Sequence, residues 1–81
     1  MRYKICTIRD RAADVYGQPV FVSSLGAALR SFGDEINNKE SVLSKHPDDY
    51  DLYELGEFDD NSGLFYCNDP RMIAVGKEQV R

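Results

Sequence analysis

The alternation of hydrophobic and polar residues at the start of the chain predicts two short strands. Residues 2–9 read Arg-Tyr-Lys-Ile-Cys-Thr-Ile-Arg, and the β-branched and aromatic side chains among them are typical of a strand. Residues 19–22, Pro-Val-Phe-Val, predict a second strand. The proline at its start favours an edge or strand-entry position, because it cannot donate a ladder hydrogen bond. A polar stretch that ends near Gly17 connects the two.

One amphipathic helix is predicted over residues 24–38. Ser23 and Ser24 precede it as candidate N-caps. The apolar residues that follow are spaced as one helical stripe: Leu25, Ala28, Leu29, Phe32 and Ile36. Gly26 and Gly33 each weaken a helix by about 1 kcal/mol relative to alanine, so packing against a sheet must stabilise it.

Residues 46–58 read His-Pro-Asp-Asp-Tyr-Asp-Leu-Tyr-Glu-Leu-Gly-Glu-Phe and form the densest pattern in the chain. Pro47 disfavours the α conformation at His46, so any helical turn within residues 37–45 must end there. From Tyr50 to Phe58, both alternating faces carry apolar side chains. This stretch therefore predicts the central strand of the sheet.

Two further strands are predicted after a hairpin turn at residues 59–63. Residues 64–67 form the first, Asn68-Asp-Pro ends it, and residues 71–75 form the last. Residues 77–81 make a polar tail that we expect to be frayed.

The predicted fold is α+β, a single small domain over residues 1–81 with the order β-β-α-β-β-β. One α-helix packs on an antiparallel sheet of four to five short strands. The expected core consists of Ile5, Ile8, Val20, Val22, Leu25, Leu29, Phe32, Ile36, Leu52, Leu55, Phe58 and Phe65.

Length and charge narrow the functional classes. A chain of 81 residues buries one thin core, so we expect a homodimer to supplement it. The net charge of −4 is unusual for a generic nucleic-acid binder, because neutralising phosphates requires clustered lysine and arginine. Neither a signal peptide nor an apolar run of about 18–20 residues is recognisable, which predicts a soluble intracellular protein without a membrane partner.

The basic residues at the start of the chain form the best candidate for a nucleic-acid site. Arg2, Lys4, Arg9 and Arg11 are interleaved with Tyr3. Basic side chains on a strand can follow phosphates while an aromatic ring stacks on a base. The alternative is ordinary surface charge that acids elsewhere in the chain neutralise.

The acidic residues between positions 48 and 60 form a second candidate surface, with seven acids and no base. Asp48, Asp49 and Asp51 would bind a basic partner protein there. The alternative is that these charges are solvated and protect the strand from edge-to-edge aggregation.

No catalytic residue, cofactor or metal site is predicted. His46 lies near aspartates, but a surface turn is favoured over a metal ligand or a base, because no second histidine is present. Residues 59–70 do not fit a calcium loop, since Leu64 stands where glycine is required and Pro70 where the bidentate glutamate belongs. No nucleophile–base pair or glycine-rich phosphate loop is recognisable either, so we do not expect an enzyme.

Residues 44–59, followed by Asn61-Ser-Gly, resemble the small nonstructural protein of gokushovirus-type phages of the Microviridae. These phages carry small circular single-stranded DNA genomes. Members of that family begin with a segment similar to residues 1–10 here, and continue with a helix. A box of the form HP-[DE]-D-[YF]-x-L-Y-x-[LI]-G-x-[FY]-D and an acidic hairpin follow. The resemblance covers nearly the whole chain.

The resemblance implies a viral accessory protein that is made in the cytoplasm of the infected bacterium and is absent from the virion. It further implies a role in single-stranded DNA genome replication, through DNA binding without catalysis. An acidic module that recruits a viral replication protein or a host factor is the alternative.

Overall fold

Two central antiparallel strands organise the sheet. In the computed structural model, which describes all 81 residues, β1 (Arg2–Asp10) pairs along its length with β4 (Tyr50–Asp59). β2 (Val15–Tyr16) and β3 (Val20–Val22) pair with the other edge of β1, and β5 (Leu64–Val75) pairs with β4. The order across the sheet is β2 and β3, then β1, β4 and β5. The prediction of a central strand over residues 50–58 is confirmed.

The predicted helix is confirmed as α1 (Leu25–Ile36), which is somewhat shorter than expected. The Oγ of Ser24 caps its first turn by accepting a hydrogen bond from the backbone N–H of Ala27, at 3.1 Å. A short helix, α2 (Val42–Lys45), and a 3₁₀ helix (Pro47–Asp49) then lead into β4. No helix is long and apolar enough to cross a membrane.

The hydrophobic core lies between α1 and one half of the sheet. Its buried residues are Cys6, Ala28, Phe32, Ile36 and Leu52. Most of the expected apolar residues are buried or half-buried, but three are exposed: Val20, Leu29 and Phe65. The centre of the α1 stripe runs through Ala28, Phe32 and Ile36, which leaves Leu29 on its flank.

The element order differs from the prediction in two places. β2 is an additional short strand within the stretch expected to be a connection. In addition, β5 is one strand of 12 residues where two were predicted. The register places Cys67 opposite Gly56 and Arg71 opposite Glu54, so that Pro70 lies in a bulge. Because bulged residues have no ladder partner, the missing N–H of Pro70 costs no hydrogen bond.

The C-terminal residues, expected to be frayed, dock on α1 in the structure. Gly76–Gln79 form a 3₁₀ helix. Asn37 donates from Nδ2 to the carbonyl oxygen of Gln79 at 2.9 Å, and its Oδ1 accepts from the backbone N–H of Arg81 at 2.9 Å. Gly76 permits this approach, because a Cβ there would overlap the carbonyl oxygens of Pro47 and Tyr50.

The end of the sheet beyond α1 is covered on neither side. The molecule measures 40 × 23 × 18 Å along its principal axes. Every residue from Asp60 to Met72 is exposed, including most of β5. The far end of the sheet is therefore open to solvent, whereas Ile5, Thr7 and Tyr53 near its centre are buried although they lie on the side opposite α1.

Candidate nucleic-acid interface

The sheet face opposite α1 is rich in aromatic rings. Directly opposed residues in an antiparallel pair project to the same side. The register therefore places the following six residues on this side, which we call the aromatic face: Tyr3, Tyr16, Phe21, Tyr53, Phe58 and Phe65. Ile5 and Thr7 of β1 lie among them.

Three phenylalanines from three strands form a cluster at one end of the aromatic face. The ring of Phe58 lies 4.9 Å from that of Phe65 and 5.5 Å from that of Phe21, measured between centroids. Phe21 is 53% exposed and Phe65 is 57% exposed. The tilted geometry is favourable for aromatic pairs. This phenylalanine cluster is therefore ordered by ring contacts while its outer surface faces solvent.

A second cluster, formed by Tyr16, Tyr53 and Arg9, lies towards the other end of the face. The two tyrosine rings meet edge to face, with centroids 5.4 Å apart. The Arg9 guanidinium lies over Tyr16, with Cζ 5.3 Å from the ring centroid. Its Nη2 also binds Oδ1 of Asp14 at 2.7 Å. Hydrogen bonds to Asp14 and Tyr53 raise the pKa of Arg9 above its ordinary value. We call this group the tyrosine–arginine cluster.

Asp14 lies in the turn between β1 and β2 and has an unusual backbone conformation. Its φ of 58° places it in the left-handed region, and no other residue besides glycine has a positive φ. Aspartate tolerates this region better than most residues. Its side chain is 83% exposed.

Two of the predicted basic residues, Arg2 and Lys4, lie on the side opposite the aromatic face. Both bind Glu57, Arg2 through Nη1 at 3.2 Å and Lys4 through Nζ at 2.7 Å. The hydrogen bond from Lys4 lowers the pKa of Glu57, and the same bond raises the pKa of Lys4. The Arg2 guanidinium also stacks over the ring of Tyr66.

The other two predicted basic residues, Arg9 and Arg11, are also paired with carboxylates. Arg11 binds the buried carboxylate of Asp51, with Nε 2.9 Å from Oδ2. Of the five residues predicted to contact nucleic acid, the register brings Tyr3 and Arg9 together on the aromatic face. Arg2 and Lys4 project to the other side, so the predicted residues do not form one patch.

The predicted acidic partner site is divided between surface and interior. Asp48 is exposed and Asp49 is half-buried, whereas Asp51 is only 1% exposed. His46 lies at the junction between α2 and the 3₁₀ helix and is exposed. Its carbonyl oxygen accepts a hydrogen bond from the backbone N–H of Asp49 at 3.0 Å.

The sequence pattern alone does not indicate most of the aromatic face. Phe58 and Phe65 are predicted core residues, and no binding role is predicted for Tyr16, Phe21 or Tyr53. The available signal was the presence of aromatic residues at alternate positions of several predicted strands. Its interpretation required the strand register, which places these positions side by side.

Comparison with known proteins identifies the family. Residues 3–79 match the family model described as Phage ORF5 protein. The chain is 33% identical over 73 residues to Protein ORF5 of Chlamydia phage 1, and this match covers 85% of the chain and 76% of that protein. No solved structure matches the chain. The predicted resemblance to a small protein of gokushovirus-type Microviridae phages is thus confirmed, and the chain belongs to the phage ORF5 protein family.

Proposed function

We propose that this protein is a non-enzymatic accessory protein that binds single-stranded DNA during phage genome replication in the cytoplasm of the infected bacterium. The aromatic face is the observation that supports this function. Phe21 and Phe65 are more than half exposed, although burying such rings is strongly favourable. Exposed aromatic residues on a sheet are a common platform for stacking unpaired bases.

Single-stranded DNA suits this face better than duplex DNA. Bases in a duplex stack on one another and present only their edges in the grooves, whereas a single strand can turn its bases onto protein rings. Binding to a duplex relies mainly on clustered positive charge. This chain has a net charge of −4, and all four predicted phosphate contacts are paired with acids.

The alternative function, recruitment of a protein partner through Asp48, Asp49 and Asp51, receives less support. Asp51 is buried and bound to Arg11, so only two of the three carboxylates could meet a partner.

The experiment is fluorescence anisotropy with a labelled oligothymidylate and, separately, a labelled duplex at low ionic strength. We expect saturable binding of the single strand and weaker binding of the duplex. An absence of single-strand binding at low salt would overturn the proposed function. Stronger binding of the duplex would also overturn it, since duplex bases are not free to stack on the rings.

A further inference from the structure

We infer that a DNA single strand occupies both aromatic clusters at once, and that a backbone phosphate displaces Asp14 from Arg9. The inference rests on the proposed function and specifies how the same face recognises its ligand.

The two clusters lie far enough apart to hold different bases of one strand. Tyr53 and Phe58 both belong to β4, and the residues paired with them on β1, Thr7 and Tyr3, are four positions apart because the register shifts by one residue between the two pairs. At a rise of about 3.3 Å per residue, this separation is roughly 13 Å. One base cannot contact both clusters, and the sheet between them carries the smaller side chains of Ile5 and Thr7. Occupying both clusters therefore requires several nucleotides, as in single-strand sites of about 4–16 nucleotides.

Arg9 is the basic residue best placed to meet a phosphate between stacked bases. Its guanidinium lies over Tyr16 on the aromatic face, and the Arg9 side chain is 29% exposed. A carboxylate and a phosphate both accept paired hydrogen bonds from a guanidinium. The Asp14 carboxylate thus takes the position on the Arg9 guanidinium that a phosphate oxygen would take.

The pair between Asp14 and Arg9 is easier to break than the pair between Asp51 and Arg11. Asp14 is highly exposed and lies in a turn, so its carboxylate can return to water when a phosphate arrives. Asp51 is buried and loses its only ion pair if Arg11 leaves. Of the two arginines, Arg9 is therefore the one that can exchange its carboxylate partner for a phosphate.

Binding by this mode depends weakly on salt. Each phosphate neutralised on a single strand contributes a slope of about −0.7 to the dependence of log K on log salt. In the native chain a phosphate only replaces Asp14, so little net neutralisation accompanies binding at Arg9. When Asp14 is made neutral, the same contact neutralises a phosphate, and the slope steepens by about 0.7.

The test measures oligothymidylate affinity by fluorescence anisotropy across a salt series. Phe65→Ala and Tyr16→Ala each remove one ring and are expected to weaken binding roughly 5- to 100-fold. Asp14→Asn is expected to strengthen binding several-fold and to steepen the slope. Tyr66→Ala is the matched control, because Tyr66 adjoins Phe65 in sequence but stacks with Arg2 on the other side of the sheet. We expect it to leave the affinity unchanged.

The outcomes separate this inference from the proposed function. If the native protein does not bind the oligonucleotide, the proposed function fails. If it binds but Phe65→Ala and Tyr16→Ala bind equally well, the function stands and the two-cluster inference is overturned. If Asp14→Asn binds the oligonucleotide more weakly than the native protein does, the displacement of Asp14 from Arg9 by a phosphate is overturned.

A second copy of the chain is the competing occupant of the aromatic face. Sedimentation of the native protein and of Phe65→Ala distinguishes it. A native dimer that Phe65→Ala dissociates, with unchanged DNA affinity, overturns the inference. Circular dichroism verifies that each variant is folded. If Phe65→Ala unfolds, Phe65→Leu replaces it, because leucine keeps an apolar side chain but lacks the ring. Loss of affinity in folded Phe65→Leu supports stacking.

Discussion

Arg11 and Asp51 join the turn after β1 to the start of β4 through a partly buried ion pair. Arg11 Nε lies 2.9 Å from Oδ2 of Asp51, whose side chain is 1% exposed. The other carboxylate oxygen, Oδ1, is buried without a hydrogen-bond partner. Arg11 therefore supplies the main compensation for a buried negative charge.

Replacing Arg11 with alanine is expected to destabilise the fold strongly. Removing one partner of a buried ion pair leaves the other charge uncompensated, at a cost of about 3–5 kcal/mol. Because the Arg11 side chain is about half exposed, we expect a loss of unfolding free energy at the lower end of that range, about 3 kcal/mol. Urea unfolding of Arg11→Ala measures this cost. Arg30→Ala is the control, because Arg30 is exposed and takes part in no ion pair. Equal stabilities of the two variants would contradict the role given to Arg11.

Phe32 and Leu29 belong to the same predicted helical stripe but should differ sharply in their contribution to stability. Phe32 is 2% exposed in the core, whereas Leu29 is 37% exposed on the flank of α1. Truncating a buried phenylalanine to alanine costs about 3–5 kcal/mol. Truncating a side chain that already exposes more than a third of its surface to water costs less, because less apolar surface leaves the protein interior. Thermal unfolding of Phe32→Ala and Leu29→Ala tests the difference, and similar melting temperatures would contradict the observed orientation of α1.

Local periodicity was sufficient to predict most of the elements. The spacing of Leu25, Ala28, Phe32 and Ile36 identifies α1, because residues of one helical face meet one surface. The apolar side chains on both alternating faces from Tyr50 to Phe58 likewise identify β4 as a central strand. In the structure, β1 and β5 pair with its two edges.

Which side of the sheet α1 covers could not be predicted in this way. Phe58 and Phe65 alternate as core residues do, and only the long-range register shows that they lie on the uncovered side. The ion pairs of Arg2 and Lys4 with Glu57 also depend on register, because these residues are more than 50 positions apart in sequence. Charge counting along the chain therefore overestimated the free positive charge.

Asn37 is expected to hold the C-terminal 3₁₀ helix in place. It donates to the carbonyl oxygens of Gly33 and Gln79, at 2.7 and 2.9 Å, and accepts from the backbone N–H of Arg81. Since each such bond contributes about 0.5–1.5 kcal/mol, Asn37→Ala should lose roughly 1–2 kcal/mol of unfolding free energy at this half-exposed site. Hydrogen exchange at residues 77–81 should accelerate. Asn38→Ala, which loses only a local bond to Glu40, should leave that exchange unchanged.

Gly56 is expected to be indispensable to the pairing of β4 with β5. Its φ is 149°, and a Cβ there would overlap the carbonyl oxygen of Tyr66 and lie 2.7 Å from Cα of Cys67. Gly56→Ala should therefore disrupt the hairpin and lower the melting temperature. Gly26→Ala is the matched substitution, since the nearest atom to its Cβ, Ser24 Oγ, is at 3.9 Å. It should stabilise α1 by about 0.5–1 kcal/mol. A Gly56→Ala protein as stable as the native one would contradict the close approach of the two strands.

The ion pair between Lys4 and Glu57 should make a small contribution to stability that disappears at both extremes of pH. Lys4 lowers the pKa of Glu57 below its ordinary value of 4.5, so this contribution is present above pH 4.5 and is lost as the pH falls through the folded pKa. Glu57 raises the pKa of Lys4 above 10.5, so the contribution is complete below that pH and is lost as the pH rises further. The native protein should therefore be more stable than Glu57→Gln at neutral pH, and the difference should shrink below about pH 4. Urea unfolding of both proteins at several pH values measures this difference. Because the pair is only partly buried, added salt should reduce the difference at neutral pH, and a difference that grew on acidification would contradict the assignment.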